Sequence, residues 1–113
     1  MHELSIAMSI VELAEEYAGK EGAGKVTELE IEVGDFSGVV IEALDFAMEE
    51  AIRGTRCEGA LWKIIRIHPL ARCRSCGHEY QPGSLYQSCP ACGEYGADIV
   101  QGKELRLKSI LVE

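Results

Sequence analysis

Cys73-Arg-Ser-Cys76-Gly77-His-Glu-Tyr80-Gln-Pro-Gly-Ser-Leu-Tyr86-Gln-Ser-Cys89-Pro-Ala-Cys92-Gly93 contains two Cys-x-x-Cys-Gly turns with twelve residues between the pairs. Each turn aims two sulfurs at one point, and two such turns complete a tetrahedral cage suited to structural Zn²⁺. Gly77 and Gly93 permit positive φ after each pair, so that following amides can point back at the thiolates. A closed four-sulfur cage has no open coordination position, so it builds structure and does no chemistry. Residues 69–98 therefore read as a zinc-ribbon domain, and residues 1–68 and 99–113 on either side as one second domain.

Outward from the ribbon, the flanking sequence alternates in period. Residues 4–18 predict an amphipathic helix, with Ile6, Ile10, Leu13 and Tyr17 as one stripe. Leu4, Ala7, Val11, Ala14 and Ala18 widen that stripe. Gly19, Gly22 and Gly24 end it. Val26 to Val33 predicts a strand, with Leu29, Ile31 and Val33 inward and Glu28, Glu30 and Glu32 outward. Asp35 or Ser37 is then placed to cap a helix over 39–52 whose inward residues are Val40, Leu44, Ala47 and Ala51. Residues 60–68 predict a second strand, stopped by Pro69, and 104–112 a closing strand. Pairing of that last strand with Val26–Val33 would set Arg106 and Lys108 opposite the glutamate row. The expected class is α+β: two helices on a three-stranded sheet, with the ribbon inserted before the last strand.

Of the net charge of −8, nearly all lies in residues 1–68, which hold fourteen acids and six bases. Such a surface repels phosphate backbones, so nucleic acid is not an expected partner. No apolar run reaches the ~20 residues that span a bilayer, and the N-terminus lacks the basic start of a signal peptide. Four of the five cysteines in metal-ligand spacing fit a reducing compartment, and the chain is read as cytoplasmic. No nucleophile–base pair or paired-carboxylate motif stands out, so an enzyme is not expected.

The chain begins Met1-His2-Glu3, just before a helix. A histidine at position two offers three nitrogens: the α-amine, its own amide once deprotonated, and its imidazole. Such donors suit Ni(II) or Cu(II) in tetragonal geometry. Alone, the dipeptide is a weak signal, and its ordinary reading is a solvated chain end.

Together, Met1-His2-Glu3-Leu4-Ser5, the αβαβ order, the paired cysteine turns and the closing strand resemble the HypA/HybF family of hydrogenase-maturation nickel chaperones. Val33-Gly34-Asp35 and Gln101-Gly102-Lys103-Glu104-Leu105 add to the resemblance, which spans essentially the whole chain. It implies an α/β nickel-binding domain with Ni²⁺ as cargo at His2, Met1 and Glu3, and Zn²⁺ at Cys73, Cys76, Cys89 and Cys92. It further implies a partner GTPase and delivery to the large subunit of nickel–iron hydrogenase, with urease accessory proteins serving as partners of some relatives. The oligomer is expected to be a monomer or a dimer. Some relatives place an acidic nickel ligand at the start of the second helix, where this chain has Val39, Val40 and Ile41. Asp35 and Glu42 are the nearby acids.

Two competing readings attach to the ribbon. A rubredoxin-like iron electron carrier uses similar turns, but with a wider gap between the pairs and an aromatic core. A nucleic-acid-binding ribbon would use Arg72, Arg74 and the tyrosines as a stacking patch. Cys57 reads as an ordinary thiol in a turn, His68 as a junction residue and His78 as solvated. Gly22-Ala23-Gly24-Lys25 lacks the full phosphate-loop pattern, so GTP binding by this chain is not expected.

Overall fold

The computed structural model describes residues 3–113, so Met1 and His2 lie outside the described residues. The elements are α1 (Glu3–Lys20), β1 (Val26–Gly34), α2 (Ile41–Ala51) and β2 (Leu61–Ile67), followed by β3 (Leu70–Cys73), β4 (Glu79–Tyr80), β5 (Ala97–Gln101) and β6 (Leu105–Val112). They build two three-stranded sheets, ordered β2-β1-β6 and β4-β3-β5. The radius of gyration is 17.4 Å, against about 13 Å for a compact domain of this length. The extents of 54 × 28 × 16 Å show why: the molecule is elongated.

β1 is the central strand of the first sheet, parallel to β2 and antiparallel to β6. A parallel neighbour requires a crossover, and α2 supplies it. Val26, Leu29, Ile31 and Val33 are fully or almost fully buried beneath the two helices. On the open face, Arg106 donates to Glu32 and Ser109 Oγ donates to Glu30 at 2.7 Å. The expected Lys108 pairing does not form. A bulge between Glu30 and Ile31 puts Ser109 and Leu107 in register with them and leaves Lys108 opposite no residue.

α1 buries Ala7, Ile10, Val11, Ala14 and Ala18, while Leu4, Leu13 and Tyr17 of the expected stripe remain exposed. The three alanines let the helix lie close to the sheet. Three strands about 4.8 Å apart make a sheet about 14 Å wide, whereas two helices side by side occupy about 20 Å. The flanks of the stripe therefore overhang.

α2 begins later than its sequence suggests, and this moves one core assignment. Val40 is the N-cap, in extended conformation, and is half exposed; Met48 is fully buried instead. Starting from Leu44, the helical spacing selects Ala47, Met48 and Ala51. Neither expected cap acts on the helix: Val40 at the N-cap has no side-chain cap bond. Ser37 Oγ accepts from Val39 N–H at 3.3 Å ahead of α2, and Asp35 turns elsewhere. Glu3 reaches across from α1, its Oε2 accepting from Val40 N–H at 3.4 Å. A carboxylate there complements the positive end of α2.

The two sheets meet where Gly34, Pro69 and Gly102 crowd together. A Cβ on Gly102 would lie 2.7 Å from Pro69 Cα, and its φ of 115° favours glycine as well. Phe36 N–H donates to Gly102 O at 2.7 Å, and Gly34 N–H to Glu104 O at 2.7 Å. Val33-Gly34-Asp35 and the Gln101–Leu105 run, distant in sequence, are thus in direct contact.

Candidate metal centre

β3 ends on Cys73, and the turn leading to β4 carries Cys76. Cys89 and Cys92 form the second turn, ahead of β5. The two turns repeat one hydrogen-bond pattern. Cys73 N–H donates to His78 O and Gly77 N–H to Cys73 O, both at 2.9 Å. Cys89 N–H donates to Glu94 O at 2.9 Å and Gly93 N–H to Cys89 O at 2.8 Å. Gly77 and Gly93 share a φ of 78° with open space where a Cβ would stand, so conformation rather than crowding calls for glycine.

All four sulfurs lie within 4.8 Å of one another. Cys73 and Cys92 Sγ are 3.7 Å apart, as are Cys76 and Cys89 Sγ. Metal–sulfur bonds of about 2.3 Å in a tetrahedron give edges of about 3.8 Å. The cage therefore has the size and donor set of a closed tetrahedral site, with Cys73 and Cys89 buried and Cys76 and Cys92 at its outer edge.

The environment is tuned for anionic sulfur only in part. The Cys76 N–H, and then that of Ser75, donate to Cys73 and lower its pKa to about 6 against the opposing effect of burial. Cys92 receives the Glu94 N–H, yet burial and the three other sulfurs together push it up to about 12. Cys76 receives the His78 N–H and is still raised, by burial and by Cys89 and Cys73. The amides after both glycines thus point at sulfur as the sequence suggests. Several thiolates cannot coexist at this spacing without a cation to neutralise them.

Comparison with known proteins fixes the family. The family model described as "Hydrogenase/urease nickel incorporation, metallochaperone, hypA" matches residues 1–112. The chain belongs to the HypA family. It is 49% identical to the hydrogenase maturation factor HypA of Parabacteroides distasonis, over 100% of this chain and 98% of that protein. The HypA of Geotalea uraniireducens is 43% identical over the full length of both. The solution structure of the nickel metallochaperone HypA from Helicobacter pylori superposes with a TM-score of 0.73 at 30% identity, covering 99% of this chain and 97% of that one. A second solution structure of a HypA protein gives 0.76 at 30% identity, over 100% and 97%.

The other singled-out residues of this HypA-family chain are dispersed. Glu3 opens α1 beside the start of α2, while Met1 and His2 are outside the described residues. Cys57 is fully buried in the main core, where burial pushes its thiol up, so it is a packing residue and not a surface thiol. His78 is exposed, its ring stacked on Tyr80 with centroids 6.2 Å apart.

His68 belongs to a cluster that sequence reading missed. Asp35 Oδ1 accepts from Arg66 Nη2 at 3.1 Å, and Oδ2 lies 3.2 Å from His68 Nδ1. Desolvation opposes the Asp35 charge, but Arg66 and then His68 hold its carboxyl below the ordinary carboxylate range. Parallel pairing explains the cluster: Gly34 is in register with Ile67, so the residues that follow each strand emerge side by side. In the ribbon, Arg72 is tied to Glu79 at 2.6 Å and Arg74 to Asp98 at 2.9 Å. The cations of the imagined stacking patch are thus occupied within the chain.

Proposed function

We propose that this chain is a nickel metallochaperone of hydrogenase maturation. It holds Ni(II) at its N-terminus through His2, with Met1 and Glu3 completing the chelate. It passes the ion, with a partner GTPase, to the large subunit of nickel–iron hydrogenase, and urease accessory proteins are further partners to test. Zn²⁺ occupies Cys73, Cys76, Cys89 and Cys92, which define a ribbon domain inserted in the nickel-binding domain. The protein works in the cytoplasm, as a monomer or dimer, and is not itself an enzyme. The observation that carries this reading is family membership over residues 1–112, joined to a sulfur cage of the right dimensions.

The two sites divide the labour by chemistry. A closed four-sulfur cage is tight and inert, because every ligand position is filled. A chelate at a chain end uses few side chains and is open to a recipient. Glu3 would bring its carboxylate from the start of α2, where it accepts from Val40 N–H.

A Ni²⁺ titration of tag-free, zinc-loaded protein beside His2→Ala, with metal content measured by elemental analysis, tests the assignment. About one nickel in the parent and none in the variant, with equal zinc in both, is expected. Equal nickel binding by the two would overturn the N-terminal site.

A further inference from the structure

α1 and α2 leave a groove that the core does not use. Leu4 from α1 and Ala43, Phe46 and Ala47 from α2 line a depression of about 520 Å³, with Glu49, Glu50 and Arg53 at its rim. Phe46 is 75% exposed, and Met8, one turn beyond Leu4 on the same face, is 56% exposed. An exposed phenylalanine beside a concave apolar surface is the anchor type on which protein interfaces depend. The α2 lining falls at positions 43, 46, 47 and 50, the i, i+3, i+4, i+7 spacing of one helical face.

Charge decides what fits. The two helices carry eight acidic residues and a single basic one, Lys20. Several of those acids are already engaged: Glu15 with Arg56, Glu16 with Lys20, and Glu50 with Arg53. Glu12, Glu42 and Glu49 are exposed and have no ion pair among the described residues. A second copy of the chain would bring the same acids to the contact, and an anionic membrane would be repelled as well.

We propose that this groove docks a basic amphipathic helix of a partner protein, its apolar stripe over Phe46 and Leu4 and its cations against Glu49, the lining acid that Arg53 does not engage. The surface needs neither metal site, so it stands or falls independently of the nickel reading. It is a helix-in-groove contact made with α1 and α2.

The test is an amide-resonance titration of the full-length, zinc-loaded protein with a synthetic amphipathic leucine–lysine helix, beside a leucine–glutamate helix of identical pattern. Perturbations should gather at Leu4, Met8, Ala43, Phe46 and Glu49 with the lysine peptide only. Phe46→Ala should weaken binding about tenfold or more, with unchanged circular dichroism and nickel uptake. Glu49→Gln should weaken it less, and the deficit should shrink at high salt. The proposal is overturned if no groove resonances move, if the glutamate peptide binds as well, or if Phe46→Ala leaves the affinity unchanged. It is equally overturned if Phe46→Ala abolishes only self-association or only binding to lipid vesicles.

Discussion

A β-carbon on Gly34 would stand 2.1 Å from the carbonyl oxygen of Gly102. The neighbouring atoms are backbone, with Lys103 N at 2.6 Å, so no side-chain rotation can make room. Gly34→Ala should cost about 3 kcal/mol or more, at or beyond the upper end of overpacking penalties. Chemical denaturation of Gly34→Ala against the parent measures it. Gly38→Ala serves as a control in open space, because a strained φ of 83° is its only expected source of loss.

Zinc loading should release protons. In the metal-free cage Cys76 and Cys92 hold theirs at neutral pH, because both thiols are raised. Cys73, lowered to about 6, is already a thiolate there. Calorimetry of Zn²⁺ binding at pH 7 in buffers of different ionisation enthalpy should report the release of about two protons or more. Below pH ~6 Cys73 also protonates, so zinc affinity should then fall more steeply with acidification. A binding enthalpy that does not vary with buffer would refute this ordering.

Adding one residue before Met1 should weaken nickel binding, because the α-amine then leaves the chelate ring. Mild acid should act in the same direction, as protons compete at an amine of ordinary pKa ~7.7–8 and an imidazole of ~6.5. Competition with a coloured nickel chelator across pH 6–8 would check both effects. Identical curves for extended and parent protein would remove the amine from the ligand set.

Asp35→Asn should lower the melting temperature at neutral pH by freeing Arg66 and His68. The Asp35 carboxyl is depressed in the folded state, so its contribution is present above the unfolded carboxylate range and lost as pH falls through the folded value. Parent and variant should therefore converge in acid. A melting-temperature gap that persists below the folded value would mean that packing, not charge, accounts for the loss. The pair is solvent-exposed, so added salt should narrow the gap at neutral pH.

Much of this architecture is legible in the sequence because period and spacing are strong local signals. The alternation of Leu29, Ile31 and Val33 with three glutamates fixes the central strand and its buried face. The cysteine spacing names all four sulfurs that converge. What escaped is what depends on partners in space. Val40 was expected inside, but helix α2 starts after it and Met48 takes the core position. Lys108 was expected to face a glutamate, but one bulge in the β1–β6 ladder displaces it. The Asp35–Arg66–His68 cluster depends on a parallel register that no single segment encodes. Gly34 and Gly102 were the visible hint of a crossing, since a glycine at a strand end often marks close backbone approach.

The crossing at Gly34, Pro69 and Gly102 has a further consequence for how the chain assembles itself. The polypeptide leaves the first sheet after Ile67 and rejoins it at Leu105 through backbone in mutual contact, so everything between hangs from one narrow neck. For β6 to find β1, it matters only that the two sides of that neck meet, and the closure entropy of a loop grows slowly with its length. The intervening segment is therefore interchangeable in principle. A short turn, or a cassette of another length, could replace residues 70–101 and leave the first sheet with the same pairing partners.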